Sequence, residues 1–336
     1  MQLIQYSLLT TLLPVATARN NIRAGRRLPI KYTQENIPLP ASGKFVTDLS
    51  KCPPLARRVD PPKDIHGLRP DDFSVAMAIG DSITAGAFAK GIDPSDKFLN
   101  WVDWRGVSYA GGADDGAVTV PNILKHYNSN LIGGARGYNP GYELCFGSGC
   151  PVGPVGWNST VDMLNAGQSG AYASNLLHEA QDYLVPQVKA LNISDDKYKY
   201  LSFQVGANDV CQLCAAADMP MGPSTRGDFE QNVRAALEHI RGNIHSALQR
   251  IVKDYKSKNY KNFAVIYQPP NLPFKDYPIE AVNSVDCFHP STAGHERIAA
   301  GLWNRLTLNA TSRAAPFTWE ETPQFRCLDE TDRIQT

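Results

Sequence analysis

Asp286 stands three residues before His289 in the run Asp-Cys-Phe-His. A single turn at that spacing lays the carboxylate on the imidazole Nδ1 and leaves Nε2 facing outward, which makes the ring an oriented base. A serine hydroxyl needs such a base, because it is a weak nucleophile at neutral pH until a neighbour takes its proton. Ser82, in Gly80-Asp81-Ser82 at the end of an apolar run, is the candidate hydroxyl. The chemistry is acyl transfer through a covalent intermediate, whose tetrahedral oxyanion requires hydrogen-bond donors. Three are on offer: the N–H of Ser82, the N–H of Gly170 in NAGQSGA, and the side-chain amide of Asn208 in GAND. Glycine lets a backbone approach closely, and asparagine donates without a charge that would perturb the imidazole.

These groups need elements that end where they begin. The apolar run FSVAMAIG stops at Gly80-Asp81-Ser82, Val161-Asp162-Met163-Leu164 stops at NAGQSG, and Tyr200–Val205 stops at GAND. A fourth, Phe263–Tyr267, stops near Pro269-Pro270. Short buried runs halted in this way read as parallel strands feeding loops or helices. Between the third and fourth, Phe229, Val233, Leu237, Ile240, Ile244, Leu248, Ile251 and Tyr255 recur at helical spacing, with Asp228 as the expected cap. A last helix is expected from Ser291 to Leu306, with Ile298, Leu302 and Leu306 on one face. Strands alternating with helices imply an α/β sheet that binds its ligand at the carboxyl ends of the strands. The glycine-rich stretch 105–158 has little periodicity and reads as a decorated loop region beside the site.

The chain has 336 residues, a length that suits two domains or one large α/β domain. Apolar residues make up 43% and charged residues 20%, which excludes disordered, collagen-like and coiled-coil classes. Thirty-three basic residues balance thirty-three acidic ones, so no net field favours a nucleic acid partner. Residues 1–18 end an apolar segment in Ala16-Thr17-Ala18, the pattern of a cleaved signal peptide; the alternative is a buried N-terminal helix. All seven cysteines lie beyond that cut, which suits an oxidising compartment and leaves one of them over. Cys145 with Cys150, and Cys52 with Cys327, are pairings the spacing allows, and a structural disulfide is favoured for Cys211 and Cys214. Sequons at Asn158, Asn192 and Asn309 would accept glycans on the same route. No run beyond the leader is long enough to span a bilayer, and the closing EETPQFRCLDETDRIQT is too polar for a lipid-anchor signal. The expected organisation is a signal peptide at 1–18, an extended arm at 19–70, a catalytic domain at 71–327 and a tail at 328–336.

Each block alone is ordinary. Gly-Asp-Ser and Asn-Asp are common turns, and a histidine before proline caps helices. Together and in this order, GDSITAG at 80–86, NAGQSGA at 165–171, GAND at 206–209 and DCFH at 286–289 resemble the SGNH (GDSL) hydrolase superfamily, whose four blocks contribute Ser, Gly, Asn and His. HGLRPDDFSVAMAIGDSITAG, WRGVSYAGG, TVPNIL, GANDVCQLC, DCFHPSTAGHERIAAGLWN and the closing FRC are similar to its phospholipase B-like branch, over about residues 52 to 327. The resemblance implies a flavodoxin-like three-layer α/β/α sandwich with a mostly parallel sheet. It also implies a secreted or surface ester hydrolase that acts on acyl-ester lipid without a cofactor; beside it we expect a monomer with no metal site, working at a membrane or micelle surface. Phospholipid or lysophospholipid is the expected substrate. Ser82, Asp286 and His289 then take the catalytic roles, with Ser82, Gly170 and Asn208 as the oxyanion hole.

Three rival readings remain. A carbohydrate acetylesterase would use the same residues on the same fold. GQSGA at 167–171 fits a nucleophile elbow, which would make Ser169 the nucleophile of an α/β-hydrolase. A secreted binding module without catalysis is the third. Trp101, Trp104 and Tyr109 are either acyl-groove walls or core anchors, and His295 is read as a packing residue rather than a second base.

Overall fold

The computed structural model describes residues 2–8, 43–56, 58–92, 101–140, 144–146, 149–152, 156–215, 226–244, 263–268, 272–273 and 276–336. Its main sheet has four parallel strands, β1 (Gln2–Leu8), β2 (Phe73–Gly80), β3 (Tyr198–Val205) and β4 (Phe263–Tyr267), in the order β2-β3-β1-β4. Three of the four expected runs are thus strands at the expected places. All of β2 but Ser74 is buried, with Val75, Met77 and Ile79 entering one apolar cluster and Ala76 and Ala78 the other. Burial on both faces is why these strands read as continuous apolar runs rather than as alternation.

The second run is different. Val161 and Asp162 close a one-turn helix, Ser159–Asp162, whose N-cap Asn158 accepts from Thr160 N–H. Met163 then reverses the chain at φ 50°, and the segment from Leu164 bonds to the edge of β2, where Ala78 N–H donates to Leu164 O, Ala166 N–H to Ala78 O and Gln168 N–H to Gly80 O. The cap outweighs the strand propensity of the valine, and the expected strand is reduced to a single parallel bridge between Ala78 and Asn165, inside the NAGQSGA block.

β1 occupies the first half of the segment read as a leader, and it is a strand where the alternative reading had a helix. The cleavage site at Ala18 and the pair Arg26-Arg27 lie outside the described residues. Residues 43–70, described in part, lie against the domain: Phe45–Val46 pairs antiparallel with Phe325–Arg326, and a disulfide joins Cys52 to Cys327, 275 residues apart. The last nine residues pack as well. Ile334 is buried with its N–H on Leu68 O, and Asp332 pairs with Arg326 at 2.7 Å.

Helix α1 (Ser82–Ala85) follows β2, and α2 (Val120–Tyr127) with the hairpin Leu144–Phe146 and Gly149–Val152 gives the 105–158 stretch more regular structure than its periodicity suggested. Cys145 and Cys150 lie on the two hairpin strands; their side chains are outside the described set. Helix α3 (Ala207–Ala215) carries Cys211, and the side chain of Cys214 is also outside it. Helix α4 (Arg226–Ile244) buries Val233, Leu237 and Ile240 against Val75, Met77 and Leu201. It begins at Arg226, so Asp228 is inside the first turn, where a carboxylate favours the positive end of the dipole, instead of capping it; Leu248, Ile251 and Tyr255 lie outside the described residues. Helix α5 (Thr292–Arg305) is capped by Ser291, whose Oγ accepts from Gly294 N–H, and buries Ile298 and Leu302 with Ile123 and Leu124 of α2. No helix among the described residues is long and apolar enough to cross a membrane.

Candidate active site

β2 delivers Ser82 to the carboxyl edge of the sheet, and Asp81 caps α1 by accepting from Ile83 N–H at 3.0 Å. Gly80 (φ 147°) is required here: a Cβ on it would lie 1.8 Å from Gln204 O. Ser82 Oγ lies 2.6 Å from His289 Nε2, across 207 residues of sequence. His289 Nδ1 is 2.5 Å from Asp286 Oδ2, while the other carboxylate oxygen accepts from the N–H groups of Phe288 and His289 and from the Asn283 amide. Burial pushes the Asp286 carboxyl up, but the His289 ring and these two N–H groups outweigh it and hold it below the usual range. The expected turn is therefore present, with Cys287 in the left-handed region at φ 55° as an exposed, unpaired thiol.

NAGQSGA runs from β2's partner segment into a turn. Gln168 N–H donates to Gly80 O, Ala171 N–H to Gln168 O, and Gly170 takes φ 77°, which a type II turn demands of its third residue. Asn208, on the first turn of α3, donates one amide proton to Ala171 O at 2.9 Å, and the second remains for another acceptor. Among the described residues, neither Ser82 N–H nor Gly170 N–H is bonded to a protein acceptor. The structure thus brings Ser82, Asp286 and His289 into one chain of hydrogen bonds and ties Asn208 to the turn that carries Gly170.

Ser169 has a different setting from an elbow nucleophile. It is fully buried, with its hydroxyl donating to Asp103 Oδ1 at 2.6 Å and accepting from Trp101 Nε1 at 3.1 Å. Trp101 and Phe88 stand 4.5 Å apart and present both rings to His289, and the Phe288 ring lies 5.1 Å from the same imidazole, edge to face. Trp104 instead packs on Tyr138, and buried Tyr109 stacks on His295. Burial drives His295 down to about 3, and its Nδ1 accepts from Tyr109 N–H, so it is a neutral packing residue. Asp103 and Arg105 are groups to which the sequence gives no role, although Arg105 falls in the WRGVSYAGG block. Arg105 ion-pairs with Asp103 at 3.3 Å and Asp162 at 3.2 Å, all three buried.

Two further carboxyls lie under the nucleophile. Glu179 accepts from Gly80 N–H at 2.8 Å, and burial holds it well above the ordinary range. Burial pushes Asp81 up to about 7, against the bond from Ile83 N–H and with Asp209 adding to the rise. An unfolded aspartate ionises near pH ~3.9, so from there to about 7 the folded state keeps a proton that the unfolded state has lost. This group alone therefore makes stability fall as pH rises through that window. Asp81→Asn is expected to flatten the fall, or steepen any rise, of Tm between pH 4.5 and 7 relative to the parent, read by circular dichroism. Parallel Tm curves for the two proteins would contradict it.

A family model described as GDSL-like lipase/acylhydrolase matches residues 77–259, which takes in the first three blocks and stops short of Asp286 and His289. Among curated proteins, the chain is 30% identical over 230 residues to phospholipase B1, membrane-associated, of Rattus norvegicus, an alignment covering 66% of this chain and 14% of that protein. The proteins of that name from Mus musculus and Homo sapiens are also 30% identical, over 209 and 197 residues, or 60% and 57% of this chain and 12% of each of theirs. The match therefore spans about one seventh or less of these relatives' own length. No solved structure matches the chain.

Proposed function

Because the chain belongs to the GDSL-like lipase/acylhydrolase family, we propose that it is a secreted serine ester hydrolase of acyl lipids, with phospholipid or lysophospholipid as substrate. The observation that carries the mechanism is the chain of bonds from Ser82 Oγ through His289 to Asp286, at 2.6 and 2.5 Å. Ser82 Oγ attacks the acyl carbonyl carbon as its proton passes to His289 Nε2, and Asp286 stabilises the imidazolium. The oxyanion is taken by Ser82 N–H, Gly170 N–H and the second amide proton of Asn208. Collapse expels the alcohol, protonated by His289, and water then releases the acid from Ser82 by the same steps. The fold we assign is the three-layer sandwich, which the division of β2 side chains between two apolar clusters supports.

The lipid assignment rests on the similarity to proteins named phospholipase B1, and secondarily on the aromatic wall of Phe88, Trp101 and Phe288 around His289. Secretion rests on the leader pattern, on the Cys52–Cys327 disulfide and on sequons Asn158, Asn192 and Asn309, all exposed and proposed as glycan acceptors. Cleavage after Ala18 removes β1 from the sheet. Its neighbours β3 and β4 both run parallel to it, so they can close on each other by one strand spacing, about 4.8 Å, without reversing either.

The test is a lipid screen by mass spectrometry on protein collected from the medium, whose intact mass reports whether it begins at Arg19. Beside it runs a series of p-nitrophenyl esters from acetate to palmitate, kept below micelle-forming concentrations. Each methylene buried in the transition state is worth about 0.8 kcal/mol, so kcat/KM should rise about three- to fourfold per methylene until the groove is full. Rates that peak at acetate and decline with length would discard the lipid and favour a sugar acetylesterase with the same site residues.

A further inference from the structure

We propose that Ser169, Asp103 and Trp101 are positioning residues that lock the Ser169–Gly170 peptide in the orientation that aims Gly170 N–H at the oxyanion. This rests on the oxyanion role proposed above for Gly170. The turn Gln168–Ala171 is anchored at both ends, by Gln168 N–H on Gly80 O and by Asn208 on Ala171 O. Its central peptide is held by neither. Glycine in the third position accepts φ of either sign, so this peptide can turn over between type II and type I geometry, and its N–H then points the opposite way. The observed φ of 77° is the type II state.

What selects that state is the side chain next to it. Ser169 Oγ donates to Asp103 Oδ1 at 2.6 Å and accepts from Trp101 Nε1 at 3.1 Å, and the same indole N–H also reaches Asp103 Oδ1 at 3.2 Å. Asp103 cannot drift, because Arg105 holds its other oxygen at 3.3 Å while itself bound to Asp162 and, at 2.5 Å, to Gly167 O in the same loop. Ser169, Asp103, Arg105 and Asp162 are all essentially buried, so water cannot substitute for a lost partner without entering the core. Ser169 and Asp103 act without touching the reacting atoms, whereas Trp101 also turns its ring toward His289.

The experiment compares Ser169→Ala, Ser169→Thr and Trp101→Phe in the otherwise intact chain. The Ser169→Ala change takes one of two hydrogen-bond partners from buried Asp103 Oδ1 and leaves the Trp101 indole N–H on it, so its Tm should fall while the chain stays folded, and kcat is read well below that Tm. Misplacing a reacting group by about 1 Å costs on the order of 100-fold. Ser169→Ala is therefore expected to lower kcat about 100-fold with KM within about twofold. Its affinity for a trifluoromethyl ketone, which adds to Ser82 and develops the oxyanion, should fall by the same factor as kcat/KM. Ser169→Thr keeps the hydroxyl and should recover most of the rate, while Trp101→Phe keeps an aromatic side chain but loses the indole N–H and should act less than additively with Ser169→Ala, because both work through Asp103. A Ser169→Ala enzyme with kcat within twofold of the parent overturns the inference, as does one whose kcat falls while ketone affinity is unchanged. Neither result disturbs the assignment of Ser82, which is tested separately by the Ser82→Ala variant.

Discussion

Ser82→Ala is expected to lower kcat/KM for a p-nitrophenyl ester by about four to six orders of magnitude, with the Tm changed little. The size follows from the geometry. Ser82 Oγ is the group within hydrogen-bond reach of His289 Nε2, and without it no acyl-enzyme forms. The residual rate comes from whatever the oxyanion donors contribute to direct attack by water. Ser169→Ala provides the contrast. Ser169 faces the Asp103 carboxylate, and no imidazole is among its hydrogen-bond partners, so that variant should keep at least about a hundredth of the parent rate. A fluorophosphonate should label the parent at Ser82 and leave Ser82→Ala unmodified, read by peptide mass. Labelling that persists at another serine in Ser82→Ala would remove the nucleophile assignment.

The parts of this site that the sequence exposes are the local ones. DCFH is a single turn, and its geometry follows from a spacing of three. The runs that became β2, β3 and β4 are legible because burial on both faces leaves unbroken apolar stretches, halted by the polar blocks that function requires. The short helix Ser159–Asp162 was hidden for a local reason of the opposite kind. Its four residues have no periodicity to detect, and the capping by Asn158 that forms it is visible only once Thr160 N–H is seen to point at it. Asp103 and Arg105 were hidden because their meaning is long-range. Asp103 meets Ser169 across 66 residues and Arg105 meets Gly167 across 62; Arg105 does fall in the WRGVSYAGG block, but neither its spacing nor that of Asp103 names a partner. The position of β1 could not be read from composition either, since an apolar segment that suits a signal peptide suits a buried strand equally well.

Asp286→Asn is expected to cost about three to four orders of magnitude in kcat at neutral pH while leaving the turn folded. Asp286 Oδ1 accepts three hydrogen bonds, from Phe288 N–H, His289 N–H and the Asn283 amide. An asparagine must therefore keep its carbonyl oxygen there, because the reverse orientation would set an NH2 group against three donors. That choice forces the NH2 group onto His289 Nδ1, the position Asp286 Oδ2 now fills at 2.5 Å. A ring that accepts at Nδ1 carries its proton on Nε2, and Nε2 then donates to Ser82 Oγ instead of taking its proton. The variant would be isosteric and folded but would hold the wrong tautomer. Asp286→Ala removes the tautomer constraint and the three acceptor contacts together, so it should lose less activity per molecule than a purely electrostatic account allows, yet show a lower Tm. Nuclear magnetic resonance of ring nitrogens labelled in histidine distinguishes the cases, with the Nε2-protonated form dominating in Asp286→Asn near pH 8 and the Nδ1-protonated form in the parent. Equal activity in Asp286→Asn and the parent would mean that the ring is oriented by something other than this carboxylate.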